Sequence, residues 1–282
     1  MIYYIYKLYF IFSYNCMKEI ILFRKELATE EEFEICNKYF DVVEYRSDIK
    51  DGLVFGRYSV LPYYKELEQD LINQKSKLIN SYDQHKWIAN FEWYEVLKEY
   101  TFPTWFNAMV LPEKEAPFIV KGRTNSKKHD WDTLMYADTK KRAIEIAYEL
   151  TKDALVGNQG IVYRKYEKLV TYEIGINGLP FTKEFRFFFY KGQILSYGYY
   201  WIIADNIDIE LDNDGYIFAE NIGKIVADYV NFYVIDIAQK ENGDWILIEL
   251  NDASMSGLSG NDAETLYKNL KTCLDKEKLL SL

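Results

Sequence analysis

The segment VIDIAQKENGDWILIELND constrains the fold more tightly than any other stretch of the chain. Tyr233 to Gln239 and Trp245 to Leu250 are apolar runs of strand length, and Asn242-Gly243 between them is a strong turn signal. The pair reads as an antiparallel hairpin. Three oxygen-bearing side chains are set into it. Asp236 lies on the first strand, while Glu249 and Asn251 lie two apart on the second and so share a face. Closing the turn brings Asp236 opposite that pair. Such a set suits a hard cation like Mg²⁺, which takes oxygen ligands and retains waters and substrate phosphates. A cation there would also relieve the repulsion between the two carboxylates. Taken alone, the same alternation equally describes polar residues on a solvated sheet face.

The rest of the chain supplies partners for that hairpin. Lys18 to Phe23 is a contiguous apolar strand. Thr29 followed by three glutamates opens a helix running to about Tyr39, because a hydroxyl caps free amides and acids suit the positive end of the dipole. Asp41 to Tyr45 and Leu53 to Phe55 are further strands, giving a small α/β lobe over 17–80. In SYDQHKWIANFEWYEVLKEY, the residues Trp87, Phe91, Tyr94 and Leu97 fall at helical spacing and predict one amphipathic helix ending before Phe102-Pro103. Ala116 to Lys121 is a strand, Thr139 to Thr151 a helix with Ala143, Ile146, Ala147 and Leu150 on one face, and Gly160 to Tyr163 a strand. Leu169 to Ile174, Phe185 to Tyr190 and Ile194 to Trp201 read as antiparallel strands, the last two joined at Lys191-Gly192. Ile222 to Asn231 and Asp262 to Leu279 read as helices.

Two further groups bear chemistry. Lys121 ends a buried strand and is followed by GRTNSKK; it is placed either to meet phosphate oxygens as a point charge or simply to lie exposed at a strand end. With its charged head in a cleft, its replacement by Met is expected to weaken phosphate binding with little loss of stability. Glu184 and Arg186 share a strand face; the arginine either holds a phosphoryl or carboxylate oxygen through its fork of donors or forms a structural ion pair. Arg57 and Tyr58 stand at the edge of an interlobe cleft, where packing is the alternative role.

Bulk properties narrow the class. A formal net charge of −10 argues against an extended nucleic-acid surface. Cys16, Cys36 and Cys273 form no CxxC pair and accompany only two histidines, so free thiols in a reducing cytoplasm are expected and a zinc site is not. Residues 1–16 are apolar and aromatic but interrupted by Lys7, and a membrane span needs about 20 apolar residues. They are expected to be a non-native or disordered extension, with MKEIILF from Met17 as the first strand. Walker A and GxGxxG patterns are absent.

These elements occur in an order that resembles the ATP-grasp superfamily. Asp83, Lys86 and Pro103-Thr104 resemble its opening DK…PTP motif, and FIVKG through Lys121 the strand whose lysine meets ATP phosphates. IVYRKYEKL at 161–169 resembles the adenine-contacting linker, EFRFFFYKGQIL the strand pair bearing the family arginine, and Asp236, Glu249 and Asn251 the terminal D…ExN metal signature. The wording of EFRFFF and YGYYW is closest to a phage-associated clade of poorly characterised ATP-grasp proteins. The chain departs from the general pattern in having only Gly122 in the loop after Lys121, and in carrying Arg164 and Lys165 where many relatives have acidic or amide residues.

The resemblance covers roughly 81–260 and implies an α+β ATP-grasp fold. A pre-ATP-grasp lobe (17–80) would precede two nucleotide-clamping lobes, 81–160 and 161–282. It further implies an ATP- and Mg²⁺-dependent carboxylate–amine ligase working through an acyl phosphate, with a phosphotransferase or a non-catalytic nucleotide-binding protein as the alternatives. Lys86, Lys121, Tyr163, Arg164, Lys165 and Glu184 would then serve the nucleotide, Arg186 the transition state, and Asp236, Glu249 and Asn251 the metal. The partners are ATP, a carboxylate and an amine, either small molecules or peptides, with no membrane.

Overall fold

The computed structural model describes residues 17–58, 63–154, 156–201 and 209–280. The expectations for residues 1–16 and for Cys16 lie outside them. The first sheet is wholly parallel, in the order β2-β1-β3-β4: β1 (Lys18–Phe23), β2 (Asp41–Val43), β3 (Gly52–Arg57) and β4 (Lys77–Leu78). Parallel pairing needs crossovers, and α1 (Glu30–Tyr39) supplies the first. Thr29 caps it as the sequence predicts, its Oγ1 accepting from the Glu32 amide at 3.1 Å. The second crossover carries α2 (Tyr64–Asn73), which the sequence reading did not assign. With both sheet faces covered, β1 is apolar from Ile20 to Phe23. Ile20 and Leu22 meet Tyr64 and Leu71 on one face, and Ile21 and Phe23 pack into the main core on the other.

The predicted amphipathic helix is broken into α3 (Tyr82–Ala89) and α4 (Trp93–Leu97). Phe91 takes a left-handed conformation at φ +66°. Its amide bonds Ile88 O at 2.9 Å and the Glu92 amide bonds Trp87 O at 3.0 Å, the two closing bonds of a Schellman motif. A left-handed backbone is unfavourable for a bulky residue. Here it redirects the chain so that Phe91, Trp93 and Leu97 all reach one core beneath the last sheet. Spacing alone did not carry that tertiary preference.

The middle sheet is antiparallel, in the order β5-β8-β6-β7: β5 (Thr104–Trp105), β6 (Phe118–Gly122), β7 (Tyr136–Ala137) and β8 (Ile161–Lys165). The strand that begins at Ile161 is therefore part of this sheet. One face is covered by α5 (Lys140–Leu150), capped by Thr139, with Ala143, Ile146, Ala147 and Leu150 inward as read from the sequence. β9 (Thr171–Ile174) and β10 (Pro180–Thr182) form a small hairpin of their own.

The last sheet has the order β12-β11-β13-β14, all antiparallel: β11 (Glu184–Tyr190), β12 (Gln193–Tyr199), β13 (Phe232–Gln239) and β14 (Trp245–Asp252). Lys191-Gly192 makes the expected turn, both residues at positive φ. The helix predicted at Ile222 to Asn231 is instead α6 (Asn213–Val226), because Asp212 caps it by accepting from the Gly215 amide at 2.8 Å. Its residues Ala219, Ile222 and Val226 cover Phe187, Phe189, Tyr233 and Ile235. On the opposite face, Phe188 and Val234 join the main core with α7 (Ala263–Leu280). Farther along that face the apolar residues give way to Glu184, Arg186, Asp236, Glu249 and Asn251, and this change positions the site. Among the described residues no helix is long and apolar enough to cross a membrane.

Candidate active site

Sheet register aligns Arg186, Asp236 and Glu249 in one row across β11, β13 and β14. The Arg186 fork donates to both Asp236 oxygens at 2.8 Å, and its third nitrogen donates to Gly257 O at 2.9 Å. A bulge in β14 keeps Glu249 opposite Asp236 while Leu247 faces Ile237, leaving Ile248 as the extra residue. That residue meets the middle lobe: its carbonyl accepts from Arg164 and its side chain helps wall a cavity.

Lys121, at the end of β6, reaches across and donates to Glu249 Oε1. Burial alone would raise the Glu249 pKa, but the ammonium groups of Lys121 and Lys128 outweigh it and hold the carboxyl down at about 2. Lys128 comes from the loop after β6, stands 4.1 Å from the Tyr200 ring centre and donates to the Tyr200 hydroxyl. Burial works against its charge, yet Tyr200, Glu184 and Glu249 together raise its pKa. The sequence reading noted the GRTNSKK loop without singling out Lys128. Its second lysine was the available signal.

Two adjoining cavities occupy the cleft between the middle and last sheets. One, of about 800 Å³, is walled by Phe102, Ile119, Met135, Leu169 and Ile248, with Lys121, Glu184 and Glu249 at its edge. The other, of about 970 Å³, is polar and lined by Arg186, Asn251 and Tyr200 among others. Ser126, Lys128 and Glu249 belong to both, so a flat apolar slot opens directly onto a charged chamber.

Of the residues predicted from sequence, Lys121, Arg164, Lys165, Glu184, Arg186, Glu249 and Asn251 line this cleft. Asp236 lies just behind them, only 1% exposed, with both oxygens on Arg186. Tyr163 and Lys86 are not among the cleft-lining residues. Tyr163 pairs with Val120 and shares its face, packing toward α5, because side chains alternate along β8 and Arg164 takes the cleft side. Lys86 lies on the outside of α3, 3.7 Å from Asp83. Arg164 is buried and donates to Thr101 Oγ1 at 2.6 Å; burial lowers its pKa to about 10. Lys165 pairs with Glu115 at 3.1 Å. The segment 165–169 walls the apolar slot, where the linker was expected. Arg57 takes the packing alternative: fully buried, it pairs with Glu32 at 2.7 Å and donates to Ala253 O and Ser256 O at 2.8 Å, fixing the loop after β14.

The donor chemistry fits a hard cation. Glu249 is ionised and faces the cleft beside the Asn251 amide. Among the described residues no three His, Cys, Asp or Glu side chains already cluster as a ready-made metal cage.

Glu184 offers a test of the electrostatics. Burial raises its pKa to about 7, against a pull from Lys128, and its Oε1 is buried with no hydrogen-bond partner. The folded-state pKa lies above the unfolded value of 4.5, so this contribution to stability is full below pH 4.5 and is lost as pH rises through about 7. Glu184→Gln should remove that dependence. Denaturant unfolding between pH 5 and 8 should show the parent losing about 3 kcal/mol relative to the variant. Parallel curves would mean that Glu184 is not desolvated.

The comparisons with known proteins agree with this geometry. A family model described as an ATP-grasp domain, the third family of its clade, matches residues 110–270. No curated protein matches in sequence. Among solved structures, the D-cycloserine synthetase DcsG superposes with a TM-score of 0.53 at 14% identity, over 91% of this chain and 99% of that one. The ATP-grasp ligase PsnB, solved with minimal precursor, Mg and ADP, gives 0.56 at 11% identity, over 93% and 98%. The D-alanine–D-alanine ligase from Bacillus anthracis, complexed with ATP, gives 0.55 at 12% identity, over 93% and 96%. At these identities the likeness is one of fold, and it is the ATP-grasp fold expected from the motif order. With more than half of its length matched by the family model, the chain belongs to this ATP-grasp domain family.

Proposed function

We propose that the protein is an ATP- and Mg²⁺-dependent ligase that joins a carboxylate to an amine or similar nucleophile through an acyl phosphate. The observation that carries this reading is the joined cleft, an apolar slot opening through Lys128 and Glu249 onto a chamber lined by Arg186 and Asn251. The middle and last sheets are the two clamping lobes, and the parallel sheet is the preface. Adenine fits the slot between Ile119, Leu169 and Ile248, with Glu184 placed to accept from a polar group beside it. Lys121 and Lys128 are the cations nearest the shared boundary and take the phosphates.

Glu249 and Asn251 would hold Mg²⁺, with Asp236 behind them; bound there, the ion would neutralise charge on the phosphates. Arg186 lies one strand away, fixed by Asp236 and Gly257 O. It is oriented before substrate arrives, and its fork stabilises charge on the transferring phosphoryl group and on the tetrahedral centre. The cleft therefore divides the work. The middle lobe brings lysine cations to the phosphates, while the last sheet provides a fixed arginine and ionised oxygens. Free Cys36 and Cys273 support placing the protein in a reducing cytoplasm.

The test is the product. With ATP, Mg²⁺ and a small-molecule extract of cells, a ligase yields ADP, inorganic phosphate and a condensed product lighter by one water than its two components. A phosphorylated product without release of phosphate would establish a phosphotransferase instead. ATP binding with no ADP from extracts or peptide mixtures would establish a non-catalytic binder.

A further inference from the structure

His85 and Asp252 form a pair at the polar end of the cleft that the roles above leave unused. His85 is 5% exposed and Asp252 3%. The ring is clamped from two sides. Tyr64 stacks on it with centroids 4.1 Å apart and planes 8° from parallel, and Asp252 Oδ2 lies 3.1 Å from Nδ1. Asp252 is itself fixed, its Oδ1 accepting from Asn80 Nδ2 at 3.1 Å and from the Ser254 amide at 2.9 Å. An ionised carboxylate can only accept, so Nδ1 carries the proton toward it and Nε2 keeps its lone pair. Nε2 has no hydrogen-bond partner among the described residues, on a ring that lines the polar chamber together with Asn251 and Arg186. A buried imidazole with one nitrogen held by an acid and the other free is built as a base.

We propose that His85 is the general base that deprotonates the attacking amine, with Asp252 as its positioning residue; this rests on the ligase reading. An amine reaches the enzyme largely as the ammonium ion at neutral pH and must shed protons to become and remain the nucleophile. Its nitrogen forms the bond to the acyl carbon. The carbon–oxygen bond to phosphate breaks, and the electron pair departs with the phosphate. The proton displaced from nitrogen passes to His85 Nε2, and Asp252 stabilises the resulting imidazolium until solvent takes the proton. Charged and titratable groups bear on the ring from each neighbouring element: Asp252 and Glu249 from β14, Tyr64 from α2, Arg186 from β11, and Lys128 and His129 from the loop after β6. His129, the other histidine, is exposed and has no recorded acid behind it.

The experiment uses the same cell extract with ATP and Mg²⁺, with and without added hydroxylamine. Hydroxylamine is already neutral at pH 7, so it traps an acyl phosphate without a base. His85→Asn is expected to lower amide formation at pH 7 by about a hundredfold or more while leaving hydroxamate and ADP formation near the parent rate. The amide should return as pH rises through the amine's own pKa, about 8 for an α-amine and about 10 for a lysine-like one. Asp252→Asn, which keeps the shape of the clamp, should show a smaller loss with the same selectivity and so guards against misfolding of the first variant. Equal amide formation in parent and His85→Asn would overturn the proposal, as would equal loss of amide and hydroxamate in both variants. A parent that makes neither ADP nor product removes the ligase reading itself, and the base with it.

Discussion

Glu249→Gln is expected to lower ADP release by about a hundredfold or more while leaving ATP affinity close to that of the parent. The substitution preserves shape and removes one negative charge from the oxygens facing the chamber. In the parent, Lys121 is held by Glu249 before nucleotide arrives. Freed of that partner, the ammonium meets phosphate oxygens without first breaking an ion pair, so binding persists while phosphoryl transfer loses its clamp. Asn251→Ala should act in the same direction and more weakly, because it removes a neutral ligand. Turnover by coupled ADP assay and binding by calorimetry separate the two effects. Full turnover in Glu249→Gln would remove this carboxylate from the chemistry.

Lys121→Met should destabilise the protein by about 3 kcal/mol, since removing one partner of a buried pair leaves the other charge uncompensated. Lys121 is 6% exposed and its partner's side chain 12%, so the stranded carboxylate has little access to water. For a chain of this size the melting temperature falls by on the order of 5–10 °C. This reverses the expectation from sequence alone, which placed the charged head in an open cleft and predicted little loss of stability. The double variant Lys121→Met/Glu249→Gln should regain most of the loss, because no charge remains to be paired. ATP affinity should fall in both. Denaturant unfolding of the four proteins measures the coupling, and additive effects would show that the pair contributes nothing in the resting state.

The sheet of the last lobe was legible because its signals are local. Asn242-Gly243 and Lys191-Gly192 set the turns, and two-residue alternation set the face shared by Glu249 and Asn251. The capped helices were legible where the cap was noticed, as at Thr29 and Thr139, and displaced where it was not, as at Asp212. Tertiary choices were not legible. Phe91 adopts an unfavourable backbone to place two more apolar residues, Trp93 and Leu97, in a core assembled from distant strands. Tyr163 was assigned to the cleft by motif position, although its pairing with Val120 turns it toward the helix. Lys128 sits in a loop without periodicity, and only the folded chain brings it to Tyr200, Glu184 and Glu249. Motif order recovered the family, while the partners of each charge required the structure.

Calorimetric titration of the parent with ATP in the presence of Mg²⁺ tests the central claim most directly. The cleft should bind one ATP per chain, GTP should bind more weakly because the apolar slot is formed around adenine, and Lys121→Met should weaken the ATP isotherm. A ligand confined to the folded state stabilises it by about 2.7 kcal/mol at a hundredfold excess over Kd, so the same solution should show a raised melting temperature. Saturating ATP with Mg²⁺ that produced neither heat nor a shift in melting would contradict the account.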